Sequence, residues 1–388
     1  ASNNSNYYRA IGGMFGSLTN ETKVENCTID NVKIQSKAKS VGGIGGFAVT
    51  LKKLENCIVN NLNITNDLSN NVLEGSVAGI IADVSIIDCE IKDCKTMNSA
   101  LTGSSENIAG IIGASVTTSQ VTVSNCIVEN VDLINENKYA IDQSTMQTYT
   151  QDRGSIGGII AYASSDIIID KCQVNNSDLE IKQGKVANRN IGGIIGFSNN
   201  ITIKDSKVYN TKITNNTPNG STGGFAGNIN YTYGYTPSIL TVNNSGIEKT
   251  TVNGNYRIGG ILGFGKLILT NAYITDSIIN GNTFSAEAGG VIGNGLKSSK
   301  IVDANVTGST ITSNYRAAGI AGFAPFEYVE NGKIVGVDVD IMNMVGEKLG
   351  KKVVFENVAF NTICDAVSKG ELCDVGAAGL SVTETRKK

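Results

Sequence analysis

The chain has 388 residues, 40% of them hydrophobic and 17% charged, with 32 Lys and Arg against 35 Asp and Glu and a formal net charge of −3. That balance excludes a disordered acidic chain and gives no electrostatic case for nucleic acid, whose binders carry a basic face. The absence of His removes Ser-His-Asp and Cys-His nucleophiles and the HExxH zinc site together, and no apolar run reaches the roughly 18 residues needed to cross a bilayer.

The N-terminal ASNNSNYYRA has neither the basic nor the apolar segment of a signal peptide, so any export signal is expected to lie outside this sequence. From there a Gly-Gly-apolar-apolar-Gly block recurs. Aligned on its second Gly, it falls at Gly13, Gly43, Gly79, Gly110, Gly158, Gly193, Gly224, Gly260, Gly290 and Gly319. These ten copies are about thirty to thirty-six residues apart, with one long insertion, which is a solenoid period. Gly or Ala precedes each anchor and an apolar residue follows it. Small residues around an apolar pair let neighbouring backbones approach closely.

Each block is followed by an alternating segment with a small centre: Cys27, Cys57, Cys89, Cys126 and Cys172, then Ser206, Ser245, Ala272 and Ala304. The position selects small volume rather than thiol chemistry. Two residues later stands Ile or Val, and just before the centre Asn or Asp in all copies but Lys171. Period-two alternation with β-branched residues is strand, and stacked Asn side chains can form amide ladders. One copy cannot bury its own apolar face, so the copies must stack. The fold class expected is therefore mainly β: a parallel β-helix or β-solenoid of about ten coils over residues 1–322, with a small α/β segment over 323–388.

The blocks VGGIGGF, IGGIIGF and IGGILGF, followed by ENC, SNC or KDS, resemble the GLUG repeat over roughly Tyr8 to Phe323. That family's repeats are found in secreted or cell-surface bacterial proteins, so the resemblance implies a spacer or presentation scaffold rather than a catalyst.

The six Cys of the repeats read as free thiols packed as small apolar residues, with Cys94 five residues past the centre in a place filled elsewhere by Val32, Leu62, Val131, Ser177 or Thr211. There is no CxxC, and neither metal nor cofactor is expected. Two insertions break the rhythm: Leu133 to Arg153, and Asn228 to Leu240 with Tyr231, Tyr233 and Tyr235. Such loops project from a solenoid, and these tyrosines could contact glycan or protein, or pack on the flank of a coil. Acidic residues are scattered, with no paired Asp or Glu expected on adjacent coils.

After Phe323 the grammar changes. Tyr328 to Val335, centred on Asn331-Gly332, is a hairpin signal, and Val337, Ile341, Met344, Val345 and Leu349 mark one face of a helix stopping at Gly350. Val353 to Glu356 reads as a strand, Thr362 to Ser368 as a helix, and Val375 to Leu380 as a strand, which is α/β order with a parallel sheet. The stretches FAPFEY, NGKIVGVDVDIMN and CDVGAAGLSVTETRKK resemble the start of an extracellular amino-acid-binding protein, the solute receptor of an ABC transporter. The resemblance implies that Phe323 stacks on the ligand, that Arg386 binds its α-carboxylate as a bidentate fork with Thr383 nearby, and that Gly379 and Ser381 contribute contacts. Such receptors close two lobes on the ligand, and this sequence ends at Lys388, before the second lobe. Cys364 and Cys373 could pair if the protein is exported, or stand as two unrelated thiols.

The leading functional expectation is a non-enzymatic, exported bacterial solenoid. It would act as a surface scaffold or adhesin-like module, and it carries a partial amino-acid-binding lobe. Expected partners are a host or cell-surface protein or glycan on the solenoid and an amino acid on the lobe, with no nucleic acid and no membrane insertion. A receptor for amino-acid uptake or sensing is the second reading, and a polysaccharide-active β-helix enzyme the third.

Overall fold

Five short strands and the corners between them make one coil. In the sixth coil these are Ile191–Gly192, Ile195–Ser198, Ile201–Lys204, Lys207–Tyr209 and Lys212–Asn215. The computed structural model describes residues 9–19, 21–68, 75–87, 90–104, 106–116, 120–138, 154–230, 236–323, 328–330, 333–335, 337–355, 367–369 and 374–375. The chain divides into two compact units, Ala1–Phe323 and Ala324–Lys388.

In the first unit the Gly-Gly strands of all ten copies pair in chain order as one ten-stranded sheet, so each copy is one coil. Every pairing in this unit is parallel, and the remaining strands join a second, continuous sheet. Along each strand the alternation expected from the sequence holds. Ile201, Ile203, Val208 and Ile213 point inward and are buried, while Lys204 and Lys212 face out. The core is a set of columns running along the stack, such as Val59, Thr96, Val128, Val174 and Val208, each residue resting on its counterpart one coil away.

The anchor glycines set the coil spacing. A Cβ on Gly193 would fall on the carbonyl oxygen of Gly224, and the same collision with the next anchor recurs from Gly13 to Gly290. Only at Gly319, in the tenth coil, is the space open.

The Asn and Asp positions have a backbone cause. Asn26, Asn56, Asp93, Asn125, Lys171, Asp205, Asn244, Asn271 and Asp303 all have φ between 47° and 55°. A second corner five residues on, at Asn31, Asn61, Asn98, Asn130, Asn176, Asn210, Lys249, Asp276 and Gly308, is left-handed too. Asn and Asp tolerate this conformation better than other residues with a Cβ. The amides also ladder: Asn56 Nδ2 donates to Asn26 Oδ1 (2.7 Å), Asn130 to Asn98 (3.1 Å), Asn210 to Asn176 (2.8 Å) and Asn271 to Asn244 (3.1 Å). Asn210→Val should therefore cost about 1–2 kcal/mol and Asn210→Gly well under half of that, compared by urea denaturation of the two variants.

One register expectation is overturned. In the third coil the small centre is Cys94, not Cys89, because Ile91 pairs with Leu54 and Lys95 with Ile58, which aligns Cys94 with Cys57. Cys89 itself lies outside the described residues. The β-branched residue of that coil is Thr96, the left-handed residue is Asp93, and Ser99 takes the place next to Leu62 and Val131 that Cys94 was expected to fill. DCEI and DCKT both fit the short motif, and only pairing along the whole coil separates them.

The insertions are shorter than their sequence bounds. Leu133 still belongs to the strand Ile127–Asn135, while 139–153 lie outside the described residues. Asn228 and Ile229 close the strand Ala226–Ile229, and Ile239 and Leu240 open Ile239–Glu248. Tyr231, Tyr233 and Tyr235 lie outside the described residues.

In the second unit, Tyr328–Glu330 pairs antiparallel with Lys333–Val335, the expected hairpin. Helix α1 spans Val337–Leu349 and stops at Gly350, whose φ is 62°. Of its expected apolar face, the side chains of Val337 and Ile341 lie outside the description and Met344, Val345 and Leu349 are exposed, while Val339 and Gly346 are buried. Gly346 allows this, since a Cβ there would meet the Val353 side chain. Residues 353–355 form no strand, because no neighbouring strand stands beside them among the described residues. Of the second expected helix only 367–369 are described, and they are helical; of the last expected strand only Val375 is described, and it is not in a strand.

Candidate functional site

The thiols are the most reactive groups inside the coils, and their place decides what they can do. Cys27, Cys57, Cys94, Cys126 and Cys172 continue as Ser206, Ser245, Ala272 and Ala304 in a single column at the first left-handed corner. All five Cys are free, and four are buried. The column hands a hydrogen bond from coil to coil. The backbone N–H of Cys126 donates to the Cys172 sulfur (3.4 Å), that of Cys172 to Ser206 Oγ (3.0 Å) and that of Ser206 to Ser245 Oγ (3.0 Å). A parallel column of hydroxyls does the same at the second corner, where Thr250 N–H reaches Ser277 Oγ and Ser277 N–H reaches Ser309 Oγ, each at 3.1 Å. The neighbouring Cys94 sulfur and then burial push the Cys57 thiol well above its ordinary pKa; Cys126 is raised by Cys172 and Cys94 as well as by burial. Cys94 between them is drawn the other way by hydrogen bonds with Cys126 and then Cys57, against burial, and with four of the five sulfurs buried the column is structural rather than nucleophilic. Among the described residues no three Cys, Asp or Glu converge to hold a metal ion.

Carboxylates do pair on adjacent coils, against expectation. Glu25 lies in register with Glu55, and Asp132 with Asp178. The first pair is bridged by Lys53, at 2.5 Å from Glu25 and 2.7 Å from Glu55. Those bonds hold the Lys53 pKa above its ordinary value and that of Glu55 below. In the second pair burial and then the Asp178 charge raise Asp132, while Lys212 stands 3.6 Å from Asp178. A shallow cavity of about 250 Å³ nearby is lined by Glu129, Gln173, Asn175, Asn176, Lys207 and Tyr209. Of its charged groups Lys207 is occupied, since it bonds Glu248 (2.5 Å), and both Lys207 and the neighbouring Lys249 stand over the Tyr209 ring, 4.6 and 5.5 Å from its centre.

Of the residues expected to hold a ligand, only Phe323 is described. It ends the last strand of the tenth coil, in register with Asn294, with the Arg316 guanidinium 4.7 Å from its ring centre. Gly379, Ser381, Thr383 and Arg386 lie outside the described residues, as do Cys364 and Cys373.

A feature passed over in the sequence reading surrounds Phe323. The Arg316 carbon also lies 4.5 Å from the Tyr315 ring centre, and Arg316 Nη1 bonds Glu287 Oε1 at 2.6 Å. Two coils earlier, Arg257 packs the same way on Tyr256 (4.6 Å) and Phe264 (3.9 Å). The signal was present in the residues: NYRIGGILGF and NYRAAGIAGF share Asn-Tyr-Arg and the Phe seven residues later.

Two curated relatives match a short part of the chain. A probable histidine-binding protein of Neisseria gonorrhoeae is 33% identical over 75 residues, 19% of this chain and 28% of the relative. The arginine-binding extracellular protein ArtP of Bacillus subtilis (strain 168) is 34% identical over 68 residues, 18% of this chain and 26% of the relative. The chain thus spans about a quarter of the length of these relatives. No solved structure matches it. The family likeness begins inside the tenth coil: residues 315–388 match the bacterial extracellular solute-binding proteins, family 3.

Proposed function

We propose that this chain belongs to an extracellular bacterial binding protein without catalytic activity, in which the solenoid is a rigid scaffold and the segment after it recognises an amino acid. The observation that carries this reading is the family match over 315–388, supported by two relatives whose names specify histidine and arginine. The solenoid's part rests on its make-up. Four of its five described thiols are buried, a lysine stands at each of its carboxylate pairs, and the repeat's resemblance to GLUG sequences of surface proteins fits a presenting role. By the family resemblance, recognition in the second unit falls to Arg386 with Thr383, Ser381 and Gly379, the Arg fork taking the ligand's α-carboxylate.

Isothermal titration calorimetry with a panel of amino acids tests this. Heat is expected with one or a few of them, basic side chains first, and none with Arg386→Ala. Absence of heat for every amino acid with the unaltered chain would remove ligand recognition from this chain.

A further inference from the structure

The last three coils carry a second place for a carboxylate, unrelated to the receptor-like segment. In register along one column run Ser221, Arg257, Glu287 and Arg316, and along another Asn228, Phe264, Asn294 and Phe323. The molecule shows what such an arginine takes. Arg316, held against Tyr315 and Phe323, receives the Glu287 carboxylate of the preceding coil, whose other oxygen accepts from Asn294 Nδ2 at 2.6 Å. Glu287 is nearly buried, at 7% exposure, so this pair is fixed rather than transient.

Arg257 has the same two aromatic supports and, among the described residues, no acid. Its counterpart on the preceding coil is Ser221, and both oxygens of Glu287, on the following coil, are engaged elsewhere. Its Nε is buried without a hydrogen-bond partner among the described residues, as is Asn228 Oδ1 in the neighbouring column. Rings that hold a guanidinium plane pre-organise its fork and leave little rotamer entropy to lose on binding. Thr283 Oγ1 donates to the Asn255 carbonyl next to Tyr256 (2.5 Å), and the loop it pins presents Phe284 at 86% exposure.

We infer that Arg257, framed by Tyr256 and Phe264, is a binding site for a carboxylate borne on an apolar group, with Phe284 exposed on the loop pinned to Asn255. The carboxylate docks on the fork as Glu287 does on Arg316, and the apolar part lies on the exposed ring.

Side-chain NMR of the full chain, titrated with sodium phenylacetate at constant ionic strength, tests the site. The Arg257 Nε–Hε signal should shift and saturate while that of Arg316 stays in place. Sodium chloride should have no such effect, and glucuronate should bind more weakly than phenylacetate. Arg257→Gln should abolish the response, and Arg257→Lys should weaken it about tenfold, because an ammonium lacks the planar fork. Glu287→Gln frees the second clamp, so Arg316 should then respond as well. An Arg257 signal that does not saturate, an equal response to chloride, or binding that survives in a folded Arg257→Gln variant would overturn the site. Glucuronate binding as tightly as phenylacetate would overturn the apolar assignment.

Discussion

Gly193→Ala is expected to destabilise the solenoid by about 3 kcal/mol, whereas Gly319→Ala should change stability by less than about 0.5 kcal/mol. Both are the second Gly of the same block, and composition does not distinguish them. The difference is the neighbour. At Gly193 the added methyl group falls on the carbonyl oxygen of Gly224 and also meets Val208 Cγ2 at 3.0 Å. The oxygen belongs to backbone held in a parallel ladder, with Gly193 N–H donating to Gly223 O at 3.2 Å, so relief requires parting two coils. At Gly319 nothing lies within 4 Å. Urea melts of the two variants beside the parent check this, and equal losses at both sites would show that glycine acts here through backbone freedom rather than contact.

Arg189→Met should cost about 3–5 kcal/mol, the range for removing one member of a buried charged pair. Arg189 is completely buried; its Nε donates to Asn137 Oδ1 at 2.8 Å and its carbonyl accepts from Asn215 Nδ2 at 2.8 Å. Burial draws its guanidinium down to about 10, and the charge of Glu106 opposes that fall. Glu106 is itself only 2% exposed and accepts from Asn66 Nδ2 at 2.6 Å. Taking away the cation removes a favourable charge from the surroundings of buried Glu106 and one of two donors to Asn137 Oδ1, the other being the Val186 N–H at 3.2 Å. Adding Glu106→Gln to Arg189→Met should restore about 1–3 kcal/mol, measured as a double-mutant cycle from the same melts. A neutral single variant would mean that water reaches Glu106 and screens it.

The solenoid was legible in the sequence because its constraints are local and repeated. Gly193, Ile194 and Ile195 say as much about packing as their counterparts in nine other coils, and the strand alternation around Ser206 needs no tertiary information. What stayed hidden depends on register. Cys89 and Cys94 both follow Asp and precede a residue fit for the strand, and only pairing of the whole coil with Leu54 and Ile58 selects Cys94. The carboxylate pairs escaped for the same reason, since Asp132 and Asp178 are brought together across an insertion that breaks the spacing. Asn was expected to ladder, and it does, but its stronger cause is a left-handed corner that no periodicity reveals. In the second unit, apolar spacing pointed to one face of α1, whereas Gly346 lets Val353 approach another.

The open space above Gly319 bears on how such a chain changes length over generations. Each coil meets its neighbours through the same glycine contact, the same two left-handed corners and the same small column, so a gene segment encoding one coil can be duplicated or lost without new chemistry at the junction. Variants of this protein should therefore differ in steps of one whole period. The Tyr-Arg-Phe clamps behave differently under that process, because they require two particular coils in order. Loss of the coil bearing Glu287 would bring the two arginines onto adjacent rungs with no acid between them.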